Sequence, residues 1–178
     1  MSQAPGCRGN ERKGKTLLLA PPHPVFFFRR YVMNLDEFVE AAKSVALDLF
    51  NKRGELQIHG VVLEDESVGL VYLPDGVPEA KAFPMATELV RKTVELTGAN
   101  AAAVVAEVWT APNTKGGKSP SQHPDRGEAI MVMYQERGCS PKMAAAQITR
   151  KGKKATVGEW VDGDAQLARG VNFFDPVN

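Results

Sequence analysis

The runs 101–110 and 128–136 carry Val, Ile, Met and aromatic residues at strand-like density, and a long polar connector joins them. Strand alternation puts Ala103, Val105, Glu107 and Trp109 on one face of the first run. It puts Glu128, Ile130, Val132 and Tyr134 on one face of the second. Pairing of the two runs is expected to bring Glu107 and Glu128 to the same end of a sheet, beneath the connector. Register decides which faces coincide, and sequence does not fix register.

Around this unit the other elements read in order. Asn34 and Glu37 form a capping-box pair at the start of a helix over 34–51. Leu35, Phe38, Val39, Ala42, Val45, Ala46, Leu49 and Phe50 recur along it at helical spacing, and Gly54 suits the stop. Residues 55–63 and 68–73 read as a hairpin, followed by a turn at Leu73-Pro74-Asp75-Gly76. A second helix is expected from Pro84 to Thr97, with Pro84 in its first turn and Gly98 as its stop. Residues 142–150 and 155–160 form a last pair around the basic turn Lys151-Gly152-Lys153-Lys154. This order predicts an α+β fold: two helices packed on one face of a mainly antiparallel sheet of about six strands.

At 178 residues, 43% apolar and 24% charged, a single domain over 33–178 is expected. Residues 1–32 break every amphipathic period with Pro21, Pro22 and Pro24 and read as a disordered or loosely attached tail; a native start at Met33 is the competing hypothesis, and sequence leaves Met1 and Met33 both open. That segment holds six basic residues against one acid, which leaves 16 basic and 20 acidic residues in 33–178. A mildly acidic domain argues against a nucleic-acid partner, despite the basic turn at 151–154. No apolar run reaches membrane-spanning length, so no membrane partner is expected. Cys7 and Cys139 lie far apart without CxxC spacing, which reads as two free thiols in a reduced cytoplasmic protein.

The connector holds the chemistry: His123, Asp125 and Arg126, with Glu107, Trp109 and Glu128 at its roots. An imidazole among carboxylates suits general acid–base work with His123, Asp125, Arg126, Glu128 and Glu107, or a divalent metal. Trp109 and Ser121 are the candidate binding residues. The structural alternative is a turn capped by Ser121 or Asp125, with Arg126 paired to Glu128 or Glu107. Gly117-Lys118-Ser119 imitates a phosphate-binding loop, but Pro112 occupies the position of its first glycine. His123-Pro124-Asp125 lies between strands, unlike the same tripeptide in J-domain co-chaperones. His59 reads as a solvent-facing or hydrogen-bonded structural histidine.

The series Glu107-x-Trp109, Pro120-Ser121-x-His123-Pro124-Asp125-Arg126-x-Glu128 and Gly158-Glu159-Trp160 resembles a family of small bacterial and phage-associated proteins. They share Glu-Ala-Trp, Pro-Ser-Glu-His-Pro-Asp-Arg and a late Gly-Glu-Trp-like element, and the likeness covers residues 55–160. Val108 stands where the family has alanine and Gln122 where it has glutamate, which removes one acid from the loop. The resemblance implies domain limits and a focal loop, and no activity.

With no nucleophile setting and no cofactor fingerprint, the expected function is a non-catalytic binding or self-associating domain. A homo-oligomer is expected to use edge strands carrying Trp109 or Trp160. The competing expectation is a small metal-assisted or acid–base hydrolase built on His123.

Overall fold

A computed structural model describes residues 33–65, 67–111, 120–152, 154–163 and 171–174. The expectations for the 1–32 tail, the Gly117-Lys118-Ser119 imitation and Lys153 lie outside these residues. The element order is α1 (Leu35–Arg53), β1 (His59–Glu64), β2 (Ser67–Tyr72), α2 (Glu79–Thr97), β3 (Ala101–Thr110), a 3₁₀ turn (Pro120–Gln122), β4 (Gly127–Glu136), β5 (Lys142–Lys151) and β6 (Lys154–Asp162).

The expected capping box starts α1: Asn34 Oδ1 accepts from the Glu37 amide at 2.9 Å, and Glu37 returns the contact to the Asn34 amide at 2.9 Å. Gly54 ends the helix in the left-handed region at φ 76°, a conformation that costs a side-chain-bearing residue energy. Helix α2 begins five residues before its expected start, and Pro84 lies inside it. Ala80, Lys81 and Ala82 are strong helix formers, and Ala82 gains burial, so one missing amide at Pro84 does not set the boundary.

The six strands form one antiparallel sheet in the order β2-β1-β3-β4-β5-β6. The chain leaves edge strand β2 through α2 and returns as β3 on the far side of β1, so β2 and β3 run parallel with β1 between them. The two runs that committed the chain to a sheet do pair, with Trp109 opposite Glu128 and Ala101 opposite Glu136.

The helices lie on opposite faces, which corrects the expectation of one covered face. Phe38, Ala42, Ala46 and Phe50 of α1 pack on Val61, Ala103, Val105, Ile130 and Val132. Ala86, Val90 and Val94 of α2 pack on Val62, Ala102 and Val104, where Val171, Phe173 and Phe174 extend the cover over Met133 and Met143. Strand β3 is consequently buried without alternation from Ala101 to Ala106. Its small side chains let both layers approach. Gly60 on β1 serves the same end, since a Cβ there would stand 2.1 Å from Val90 Cγ2.

Cys139 is disulfide-bonded and not the free thiol expected, and the expectation for Cys7 lies outside the described residues. Among the described residues, no helix is long and apolar enough to cross a membrane.

Candidate functional site

One end of the sheet collects the end of α1, the segment leading into β1, the ends of β2, β3 and β5, and the starts of α2 and β4. Register places Glu107, Trp109 and Glu128 on the α1 side there, as alternation implied. Arg150 joins them, two residues beyond Ile148 on β5, and Ile148 is the partner of Glu128.

Arg150 organises this end. Its Nη2 donates to Glu107 Oε1 at 2.7 Å, its Nε to Glu128 Oε2 at 2.5 Å and its Nη1 to the Gly54 carbonyl at 2.8 Å. The guanidinium also lies 5.6 Å from the centre of the Phe50 ring. Glu107 uses its second oxygen to accept from the Leu56 amide at 3.1 Å. The carboxylates of Glu128 and Glu107 hold the Arg150 guanidinium charged, pushing its pKa up. A cation at the last carbonyls of α1 also complements the negative end of the helix dipole. One arginine thus ties helix, strand lead-in and three strands together.

Arg150 is not among the candidate residues that the sequence singles out. Period-two spacing (Ala144, Ala146, Ile148, Arg150) was the signal that it shares the core face, but only register shows which carboxylates it meets.

The connector residues do something else. Arg126 does not pair with either glutamate. Its guanidinium stacks over Trp109 at 4.6 Å from the ring centre and donates to the Ser121 carbonyl at 2.6 Å. His123 caps the turn twice over. His123 Nδ1 accepts from the Asp125 amide at 3.1 Å, and the His123 carbonyl accepts from the Arg126 amide at 3.3 Å. Among the described residues, no three His, Cys, Asp or Glu side chains converge as a metal site. The structure therefore brings Glu107, Glu128 and Trp109 together and adds Arg150. His123 and Asp125 are engaged in their own turn.

Against this clamp lies an open groove of about 830 Å³ that wraps the end of the sheet. Its walls are residues 54–58, residues 72–77, Glu79 and Ala82 of α2, residues 107–109, Glu128 and Arg150. Two aromatics in it remain unusually open, Tyr72 at 47% and Trp109 at 42% exposure. The lining residues carry five carboxylates, Glu55, Asp75, Glu79, Glu107 and Glu128, and one guanidinium, Arg150, with the Arg126 guanidinium over Trp109 beside them. Arg150 neutralises part of the Glu107 and Glu128 charge. Glu55, Asp75 and Glu79 have no ion pair among the described residues. The groove was not legible because residues 54–58 and 72–77, set side by side by the β1–β2 hairpin, meet residues 107–109 only once the crossover lays β3 against β1.

His59 lies one layer behind, 1% exposed and therefore buried, never solvent-facing. Its Nδ1 stands 2.9 Å from the Gln57 carbonyl, so this nitrogen carries the proton and Nε2 presents a lone pair. Nε2 is buried without a partner among the described residues. Burial lowers the pKa of His59, outweighing the opposite pull of the Gln57 carbonyl.

Compared with known protein families, curated proteins and solved structures, the chain matches none.

Proposed function

We propose that this chain is a non-catalytic binding domain whose ligand lies in the groove at the end of the sheet. The observation that carries the reading is the pair of half-open aromatics, Tyr72 and Trp109, in one concave wall held by the Arg150 clamp. Aromatic side chains supply large contact area at low conformational cost, and a rigid support keeps them aimed. A volume of about 830 Å³ falls within the ordinary range of ligand sites.

Binding is favoured over acid–base chemistry by what the candidate catalytic groups already do. Glu107 and Glu128 are hydrogen-bonded to Arg150, and His123 Nδ1 accepts from the turn it belongs to. Binding is also favoured over self-association through strand edges. Trp109 is on β3, an interior strand of the sheet although β1 pairs only its 101–105 half, so Trp160 of β6 is the tryptophan on a terminal strand. The β6 edge is interrupted by a bulge opposite Ala146 and Ile148 and carries Lys154, Glu159 and Asp162, devices that discourage edge pairing.

The test is selection of peptides from a displayed random library against the folded protein, with each enriched clone measured on a Tyr72→Ser/Trp109→Leu variant. Saturable binding that disappears in this variant, while its melting temperature stays near the parent value, is the expected result. Clones that bind both proteins equally, or a hydrolytic activity abolished by His123→Ala, would overturn the reading.

A further inference from the structure

We infer that the groove takes a cationic peptide segment of a partner protein, with arginine or lysine side chains laid across Trp109 and Tyr72. This inference rests on the groove being the binding surface. It starts from charge. Glu55, Asp75 and Glu79 line the groove without an ion pair among the described residues, and Glu107 and Glu128 share a single guanidinium. A concave wall concentrates the field of like charges and raises the local concentration of the opposite sign.

The second argument comes from the aromatics. Trp109 already accepts a guanidinium, that of Arg126, at 4.6 Å from its ring centre, and it still keeps 42% of its surface open. The electron-rich face of an indole attracts cations, most strongly where water is partly excluded. Tyr72 supplies a second ring to the same groove.

The third argument is the mixture of surfaces. Leu73, Pro74 and Val77 put apolar wall beside the carboxylates. Arginine and lysine have an apolar stem and a charged head, so one side chain matches both. A peptide fits better than a small cation because the groove is open along its length and built from several chain segments. Successive basic side chains on an extended segment can meet successive carboxylates.

Trp160→Phe leaves Trp109 as the only tryptophan, so its emission reports the groove alone. Three synthetic peptides are titrated into this protein: one alternating glycine and arginine, its citrulline counterpart and its glutamate counterpart. The arginine peptide is expected to change Trp109 emission saturably and to lose affinity as salt is raised. Glu55→Gln/Asp75→Asn/Glu79→Gln is expected to weaken it by roughly tenfold. Citrulline and glutamate peptides are expected to leave the emission unchanged. Failure of the arginine peptide to bind overturns the inference. Equal binding of the citrulline peptide, lost in Tyr72→Ser/Trp109→Leu when followed by the anisotropy of a dye-labelled peptide because that variant lacks the reporting indole, overturns the preference for cations and leaves the groove as a binding surface. Binding of the arginine peptide that ignores both sets of groove substitutions overturns the groove reading as well.

Discussion

Where β4 finishes, Gln135 is buried at 6% exposure, and both ends of its amide are used. Its Nε2 donates to the Cys139 carbonyl at 2.9 Å and to Asn172 Oδ1 at 3.0 Å, and its Oε1 accepts from the Phe173 amide at 2.8 Å. Arg137 beside it donates to the Ala99 carbonyl at 2.8 Å and lies 4.9 Å from the Phe174 ring centre. At the opposite end, where β4 begins, Arg150 does similar internal work, yet Tyr72, Trp109, Glu55, Asp75 and Glu79 are left facing a groove. Both ends close the sheet with one amide or guanidinium hub. Among the described residues, the groove end carries exposed aromatics beyond what closure uses, and that surplus is what the proposed binding reading rests on.

The largest expected effect tests the closed end. Gln135→Leu strands the Phe173 amide and the Cys139 carbonyl in a buried setting, and the loss is expected to be on the order of 3 kcal/mol in urea unfolding. The segment 171–174 should also become more sensitive to protease. A loss below about 1 kcal/mol would mean that the amide network does not hold this end, and the contrast between the two ends would need another basis.

Arg150→Met comes next. It leaves Glu107 and Glu128 as neighbouring carboxylates and frees the Gly54 carbonyl, while the methionine stem still covers Phe50. These groups are partly solvated, which tempers the penalty to about 1–2 kcal/mol. The loss should shrink in Arg150→Met/Glu107→Gln, since the second change removes one of the stranded charges. Additive losses would show that the clamp is not a unit.

His59 gives the comparison a pH dependence. Its folded pKa lies below the ordinary imidazole value of about 6.5 because burial penalises the charged ring. Below that value the unfolded chain binds a proton that the folded chain refuses. Stability is therefore complete above about pH 6.5 and falls as pH drops toward the folded pKa. His59→Phe should flatten this part of the curve, measured as denaturation midpoint against pH. An unchanged slope would place the acid sensitivity elsewhere.

How far sequence carried the reading depended on how local the signal was. The capping box at Asn34 and Glu37 and the stops at Gly54 and Gly98 are determined within a few residues, and all four are present. Pairing of β3 with β4 was legible because both runs are dense in strand-forming residues and one polar connector joins them. The placement of α2 on the other face was not, since it follows from a crossover past β1 and from Gly60 admitting Val90. At the site, Glu107, Glu128 and Trp109 were named because they flank one loop. Arg150 meets Glu128 and Gly54 across 22 and 96 residues, so its period-two spacing gives its face but not its partners, and no local pattern marks Tyr72 or Glu55. His123 drew attention by residue type alone, and its imidazole serves its own turn.

The smallest expected effect is the sharpest test of surplus. Glu55 and Asp75 are exposed, line the groove and have no ion pair among the described residues, so folding gains nothing evident from their charge. Glu55→Gln/Asp75→Asn should change stability by less than about 0.5 kcal/mol. Its sign is expected to be stabilising at low salt, because like charges along one wall repel, and the gain should fade once added salt shortens the screening length. Glu79 belongs to a different case: it stands in the first turn of α2, where the helix dipole favours a carboxylate, so Glu79→Gln should cost about 0.3–1 kcal/mol. A clear loss from the Glu55 and Asp75 changes would show that the open end is as fully committed to folding as the closed one, and the groove would then have no spare charge to offer a ligand.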